Sequence, residues 1–180
     1  MKTLLASLVA LTAVLSYGQA PKPAAVPELN GVRIGMTMQE FLQTPTGQLP
    51  ESKNTRDAGS KGLMVVADST VGGAKVKVLY TFEKSESPNG ATMLYNMLTG
   101  FPTTAANSVR DGLTQKYGNP TVREFTKTNR LGGSVKCYEA KWTWDAYEIT
   151  LASPGSKMDE TSLTLCNAET VRRLAGPQRK

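Results

Sequence analysis

Thr103-Thr104-Ala105-Ala106-Asn107-Ser108-Val109-Arg110-Asp111-Gly112-Leu113-Thr114-Gln115-Lys116-Tyr117-Gly118-Asn119-Pro120 sets Ala105, Ala106, Val109, Leu113 and Tyr117 at three- and four-residue spacing. That spacing puts them on one stripe of an α-helix. Thr103 or Thr104 is expected to cap its start, and Gly118 followed by Pro120 to supply the left-handed residue and the stop. On both sides of this helix the period changes to two. Upstream, 63–67 and 75–83 are strand-like runs separated by Gly72-Gly73, with Val76, Val78, Tyr80 and Phe82 alternating in the second. Ser87-Pro88-Asn89-Gly90 turns the chain into 91–98, a third strand with helix as the alternative for its Met and Leu. Downstream, strands are expected at 122–127, 135–144, 147–152 and 162–167, broken by Leu131-Gly132-Gly133, by Asp145-Ala146 and by the loop 153–161.

Nearer the start, Thr37 and Glu40 have capping-box spacing and open a short helix at Met38, which Pro45 and Gly47 end. The order is then helix, three strands, helix, four strands: a degenerate tandem helix-plus-meander repeat, with units at 31–100 and 101–168. Grouped antiparallel strands with short connections indicate α+β architecture. The expected product is one domain over 31–168, a curved antiparallel sheet of about seven strands with both helices packed on one face. Residues around Val171 and Leu174 add a helical turn, and 169–180 otherwise reads as a basic tail carrying Arg172, Arg173, Arg179 and Lys180.

The first residues give an address. Lys2 precedes an uncharged, largely apolar run over 3–15, and small or polar residues follow. This reads as a secretory signal peptide over 1–18, cleaved near Gly18, with a Pro- and Ala-rich spacer over 19–30. About thirteen apolar residues rise only about 20 Å as a helix, too little for a hydrocarbon core of about 30 Å, so no stable membrane span is expected. The expected location is secreted or periplasmic. The chain of 180 residues carries 21 Lys+Arg against 15 Asp+Glu, a net charge of +6. The cations are spread rather than blocked, so an anionic envelope component or an acidic protein is a candidate partner and nucleic acid is not.

The histidine count is zero. That removes Ser-His-Asp and Cys-His chemistry, and with only two cysteines it leaves no ordinary zinc site. No Ser-x-x-Lys occurs, and no cofactor is expected.

Gly31-Val32-Arg33-Ile34-Gly35-Met36-Thr37-Met38-Gln39-Glu40 resembles the helix-entry motif of the small outer-membrane protein A and beta-lactamase inhibitory protein superfamily of exported bacterial proteins. Lys116-Tyr117-Gly118-Asn119-Pro120, with later strands carrying Trp142 and Ile149, is similar to the second unit of such proteins. The first unit departs from the pattern, having Thr44-Pro45-Thr46-Gly47 where Leu-Gly-x-Pro is usual. The resemblance implies a helix-plus-meander fold that binds other envelope or secreted proteins with its sheet and loops, without catalysis.

Trp142 and Trp144 lie two apart and share a strand face with Tyr138 and Ala140. They are either core or, if exposed, an aromatic platform for a partner. Cys137 and Cys166 fall out of phase with the apolar residues of their strands, which places them on the other face. In an oxidising compartment they could close a disulfide loop of about 28 residues, worth roughly 3 kcal/mol. A simple meander would instead hold them beyond the roughly 7 Å that a bridge tolerates. Asp145 with Glu148, and Asp159 with Glu160, are the carboxylates available for acid–base work. The expected function is an exported, non-enzymatic binding module that recognises a protein or envelope component through its sheet and loops. The alternatives are a histidine-free carboxylate hydrolase on an envelope polymer and a carrier of a small apolar ligand.

Overall fold

The computed structural model describes residues 25–53, 55–57, 59, 62–84, 92–128, 132–155 and 157–176. The expected signal peptide, the expected turn at Ser87-Pro88-Asn89-Gly90, Leu131 and the last four residues lie outside the described residues.

The protein is α+β, built on one eight-stranded antiparallel sheet and a small two-stranded ribbon. The ribbon pairs β1 (Glu28–Leu29) with β2 (Val32–Arg33) around Asn30-Gly31, both at positive φ (50° and 81°), as a two-residue hairpin turn requires. Residues after β2 run along the start of a central strand, where the Leu94 N–H donates to the Met36 carbonyl (2.8 Å) and the Gly35 N–H to the Leu94 carbonyl (2.7 Å). This anchoring delivers the chain to α1 (Met38–Gln43), whose capping box forms as expected. The Glu40 N–H donates to Thr37 Oγ1 (3.1 Å) and the Thr37 N–H to Glu40 Oε2 (2.7 Å). α1 buries Phe41 against Tyr80 and Phe82, with ring centroids 5.1 and 5.3 Å away.

The large sheet contains β3 (Arg56–Asp57), β4 (Leu63–Val71), β5 (Ala74–Glu83), β6 (Met93–Pro102), β7 (Thr121–Thr128), β8 (Ser134–Trp144), β9 (Tyr147–Ser153) and β10 (Glu160–Asn167). Its order is β3-β4-β5-β6-β10-β9-β8-β7. Each half is therefore a meander, and the last strands of the two halves, β6 and β10, pair in the middle. The seven expected strands are all present; β3 adds a two-residue edge.

Between the halves, α2 (Ala106–Tyr117) carries the chain from the central β6 to the far edge β7. Neither Thr103 nor Thr104 caps it through a side chain. A 3₁₀ turn over Thr103–Ala105 feeds straight into the helix, with Pro102 in the position before the turn. Val109, Leu113 and Tyr117 are half-buried against the core, and Gly118 ends the helix at φ 89° with its N–H on the Thr114 carbonyl.

A further helix, α3 (Ala168–Ala175), continues directly from β10. It replaces most of the expected basic tail. Asn167 caps it by accepting from the Thr170 N–H (3.0 Å), and Arg173 pairs with Glu83. α1 and α2 lie on the core face as expected, whereas α3 packs on the opposite face, beside Tyr95 and Cys166.

Candidate binding face

Register shows how unlike the two faces are. Val65, Tyr80, Met97, Leu165, Ile149 and Trp142 stand opposite one another across six adjacent strands, none more than 2% exposed. One residue along, on the outer face, the row reads Val66, Leu79, Leu98, Thr164, Thr150 and Lys141. Val66 is 38% exposed and Leu98 40%. The β4–β6 half of this outer row is aliphatic; the β10–β8 half is polar.

α3 crosses the outer face and leaves a groove of about 650 Å³ between its Val171, Leu174 and Ala175 and the strands. Met64, Leu79 and Tyr95 form the apolar end of the groove, and Glu139, Lys141 and Glu148 the charged end. Tyr95 is the extra residue of a bulge, because Thr81 pairs with Asn96 while Phe82 pairs with Leu94. Burial raises its phenol above the ordinary value, and the Glu83 carboxylate adds to that. Lys141 Nζ lies 3.1 Å from Glu148 Oε1, which also accepts from Thr150 Oγ1 (3.1 Å).

Cys166, on the groove wall, is a free thiol that burial pushes up to about 11, with Glu148 acting in the same direction. It stays protonated and a poor nucleophile near neutral pH. Cys137 is also free, so the candidate disulfide between Cys137 and Cys166 is absent. Both face outward as the phase of their strands required, but β9 separates β8 from β10. Cys166 lies opposite Glu148, and Glu148 opposite Thr143, six residues from Cys137. At about 3.4 Å per residue the two thiols are on the order of 20 Å apart along the strands.

The aromatic candidates lie on the other face, under α2. Trp142 is 2% exposed and its Nε1–H donates to the Gly118 carbonyl (2.8 Å). Trp144 stacks on Tyr117 at 5.2 Å, while Tyr138 lies beneath the Arg110 guanidinium at 5.5 Å. Burial raises the Tyr138 phenol, and Arg110 partly offsets this. Trp142, Trp144 and Tyr138 thus seat α2 and present no open platform.

The candidate carboxylates do not converge. Asp145 sits in the β8–β9 turn and Glu148 is engaged by Lys141. Glu160 pairs with Lys157 (3.2 Å) at the far end of β10, six residues from the position opposite Glu148. Among the described residues no group of three or more His, Cys, Asp or Glu is placed to hold a metal ion, and no helix is long and apolar enough to cross a membrane.

The residues of this face that sequence reasoning passed over are Met64, Val66, Leu79 and Leu98. Their signal was phase: each is apolar one position out of step with the buried residues of its strand. No protein-family model, curated protein or solved structure matches the chain.

Proposed function

We propose that the protein is an exported, non-enzymatic binding module that docks a secreted or envelope protein on the outer face of its sheet, beside α3. The observation that carries the reading is the run Val66, Leu79, Leu98, three aliphatic neighbours across β4–β6 on the solvent side. A contiguous apolar patch rimmed by polar groups marks an interaction surface more often than an isolated exposed leucine does. Its rim is the Lys77–Asp68 pair on one side and the Lys141–Glu148 pair on the other. The leader-like residues 1–18 and the resemblance of 31–40 and 116–120 to the outer-membrane protein A and inhibitory-protein superfamily support the same reading.

The test is capture from envelope extract by the mature chain, its Leu79→Asp/Leu98→Asp variant and a control, Leu42→Asp, exposed on α1. A species retained by wild type and control but lost with the double variant is the expected result. Species that bind all three chains equally, or none above background, refute the reading. The groove volume favours a second reading, because it exceeds the roughly 300 Å³ that a small-ligand site needs. Saturable uptake of a fluorescent fatty acid, abolished by Leu174→Asp with no protein captured, would select it.

A further inference from the structure

Among the described residues β7 is an edge of the sheet with no strand beyond it along its whole length. All eight of its residues pair with β8 in one unbroken register, from Thr121 opposite Lys141 to Thr128 opposite Ser134, so no bulge turns the edge away. No residue of β7 is buried, and none within it is proline. At the opposite edge β3 covers only Leu63 and Met64 of β4, and farther along that strand Asn30 Nδ2 donates to the Thr70 carbonyl (2.7 Å). Half the backbone N–H and C=O groups of such a strand point outward without a ladder partner, which is the template for adding another strand.

Charge decides what can be added. Arg123, Phe125 and Lys127 alternate along one face of β7, with Arg123 Cζ 5.4 Å and Lys127 Nζ 5.7 Å from the Phe125 ring centre. Lys127 Nζ also donates to the carbonyls of Gly155 (3.0 Å) and Pro154 (3.5 Å), which leaves its charge uncancelled. Glu139 stands opposite Arg123 on β8, yet among the described residues neither cation forms an ion pair with a carboxylate. Glu124 leaves the other face.

A second copy fits poorly. In an antiparallel two-fold pairing, residues opposite each other must leave the same face, so the axis falls on a residue. On Arg123 or Glu124 it sets that charge against its own copy, and on Phe125 it sets Arg123 against Lys127. Like charges directly opposite are destabilising. Moving the axis to Thr126 avoids the clash but leaves only 124–128 paired, and moving it to Val122 leaves only 121–123.

We infer that β7 is a docking edge for an extended acidic segment of another protein. The segment adds an antiparallel strand with the pattern acidic–x–apolar–x–acidic, its carboxylates opposite Arg123 and Lys127 and its apolar residue over Phe125. This surface is separate from the groove under α3 and does not depend on it.

The test follows amide hydrogen exchange of the mature chain, residue by residue, with a Glu-Thr-Val-Thr-Glu peptide flanked by threonines and with its Lys-for-Glu counterpart. The acidic peptide is expected to slow exchange of the outward amides of β7 about tenfold or more, and added salt to reverse this. The lysine peptide should give no protection. Arg123→Gln/Lys127→Gln should abolish the preference for the acidic peptide, and as exposed, uncharged substitutions they should leave exchange in the core strands unchanged. Any of three results overturns the inference: equal response to both peptides, protection in the groove instead of β7, or none at millimolar peptide. Sedimentation showing a dimer with protected β7 amides would assign the edge to self-pairing and overturn it too.

Discussion

Alanine at Gly72 tests the seating of α2 on the sheet, and alanine at Gly73 is its internal control. Both residues form the two-residue turn between β4 and β5, at φ 56° and 81°. An added Cβ pays the left-handed penalty at either site, about 1–2 kcal/mol. Space separates them. At Gly73 the new methyl meets nothing within 4 Å, whereas at Gly72 it would lie 2.8 Å from Val109 Cγ2 and 3.1 Å from Ala105 Cβ. Those two atoms belong to α2 and the turn that feeds it, so the clash exists only because the helix rests on this hairpin. Overpacking of this kind costs a further 1–3 kcal/mol or so. Gly73→Ala should therefore destabilise by about 1–2 kcal/mol and Gly72→Ala by about 2–5. The assay is urea denaturation, accepting the comparison only if the slope is unchanged. Adding Val109→Ala should recover about 1 kcal/mol or more of the Gly72→Ala loss through the coupling term of a double-mutant cycle. Equal costs at Gly72 and Gly73, with no coupling to Val109, would refute the seating of α2 against the turn.

Phe41→Ala should cost about 3–5 kcal/mol by the same assay, since Phe41 is fully buried between Tyr80 and Phe82; a loss below about 1 kcal/mol would mean α1 contributes little to the core. Thr37→Ala removes the N-cap and should cost about 0.5–2 kcal/mol. The Thr37 backbone N–H, then its hydroxyl, holds the Glu40 carboxyl below its ordinary 4.5. A depressed carboxyl adds stability above that value and loses it as pH falls through the folded-state value. Wild type and Glu40→Gln should therefore converge on acidification below about pH 4.5, and parallel curves would exclude the effect. Thiol titration in denaturant without reductant should count both Cys137 and Cys166 as free, with reductant leaving the melting temperature unchanged; a mass 2 Da short would restore the disulfide.

What could be read in advance was local. The stripe from Ala105 to Tyr117, its Gly118 stop, the Thr37–Glu40 box and the Gly72-Gly73 turn each rest on contacts within a few residues, and each formed. The same logic should have found the Asn30-Gly31 hairpin and α3, because Asn167, Glu169, the paired arginines and Gly176 are complete start and stop signals. The sequence predicts only a turn around Val171 and Leu174, whereas α3 runs over eight residues, a length marginal for an isolated helix. Its stability comes from a seat on the sheet and from Arg173 on Glu83, ninety residues away in sequence. The expected threonine cap of α2 failed for a local reason: the chain enters as a 3₁₀ turn after Pro102, which leaves no cap geometry for Thr103 or Thr104.

The central β6–β10 pairing has no local signature at all, yet it decides which residues share a face with which. Period-2 alternation says that Trp142 and Trp144 are together, but not whether their side of the sheet is the wet one. Tyr117 stacking on Trp144 and the Gly118 carbonyl accepting from Trp142 assign that side to α2. Once those aromatics are core, the anomaly moves to the opposite phase. Val66, Leu79 and Leu98 are aliphatic where alternation calls for polar residues, on three consecutive strands of a meander whose register sets them side by side. A single out-of-phase leucine is ordinary; three in register form a surface. The sequence therefore holds the residues of the candidate face one at a time, and the strand order assembles them into a site.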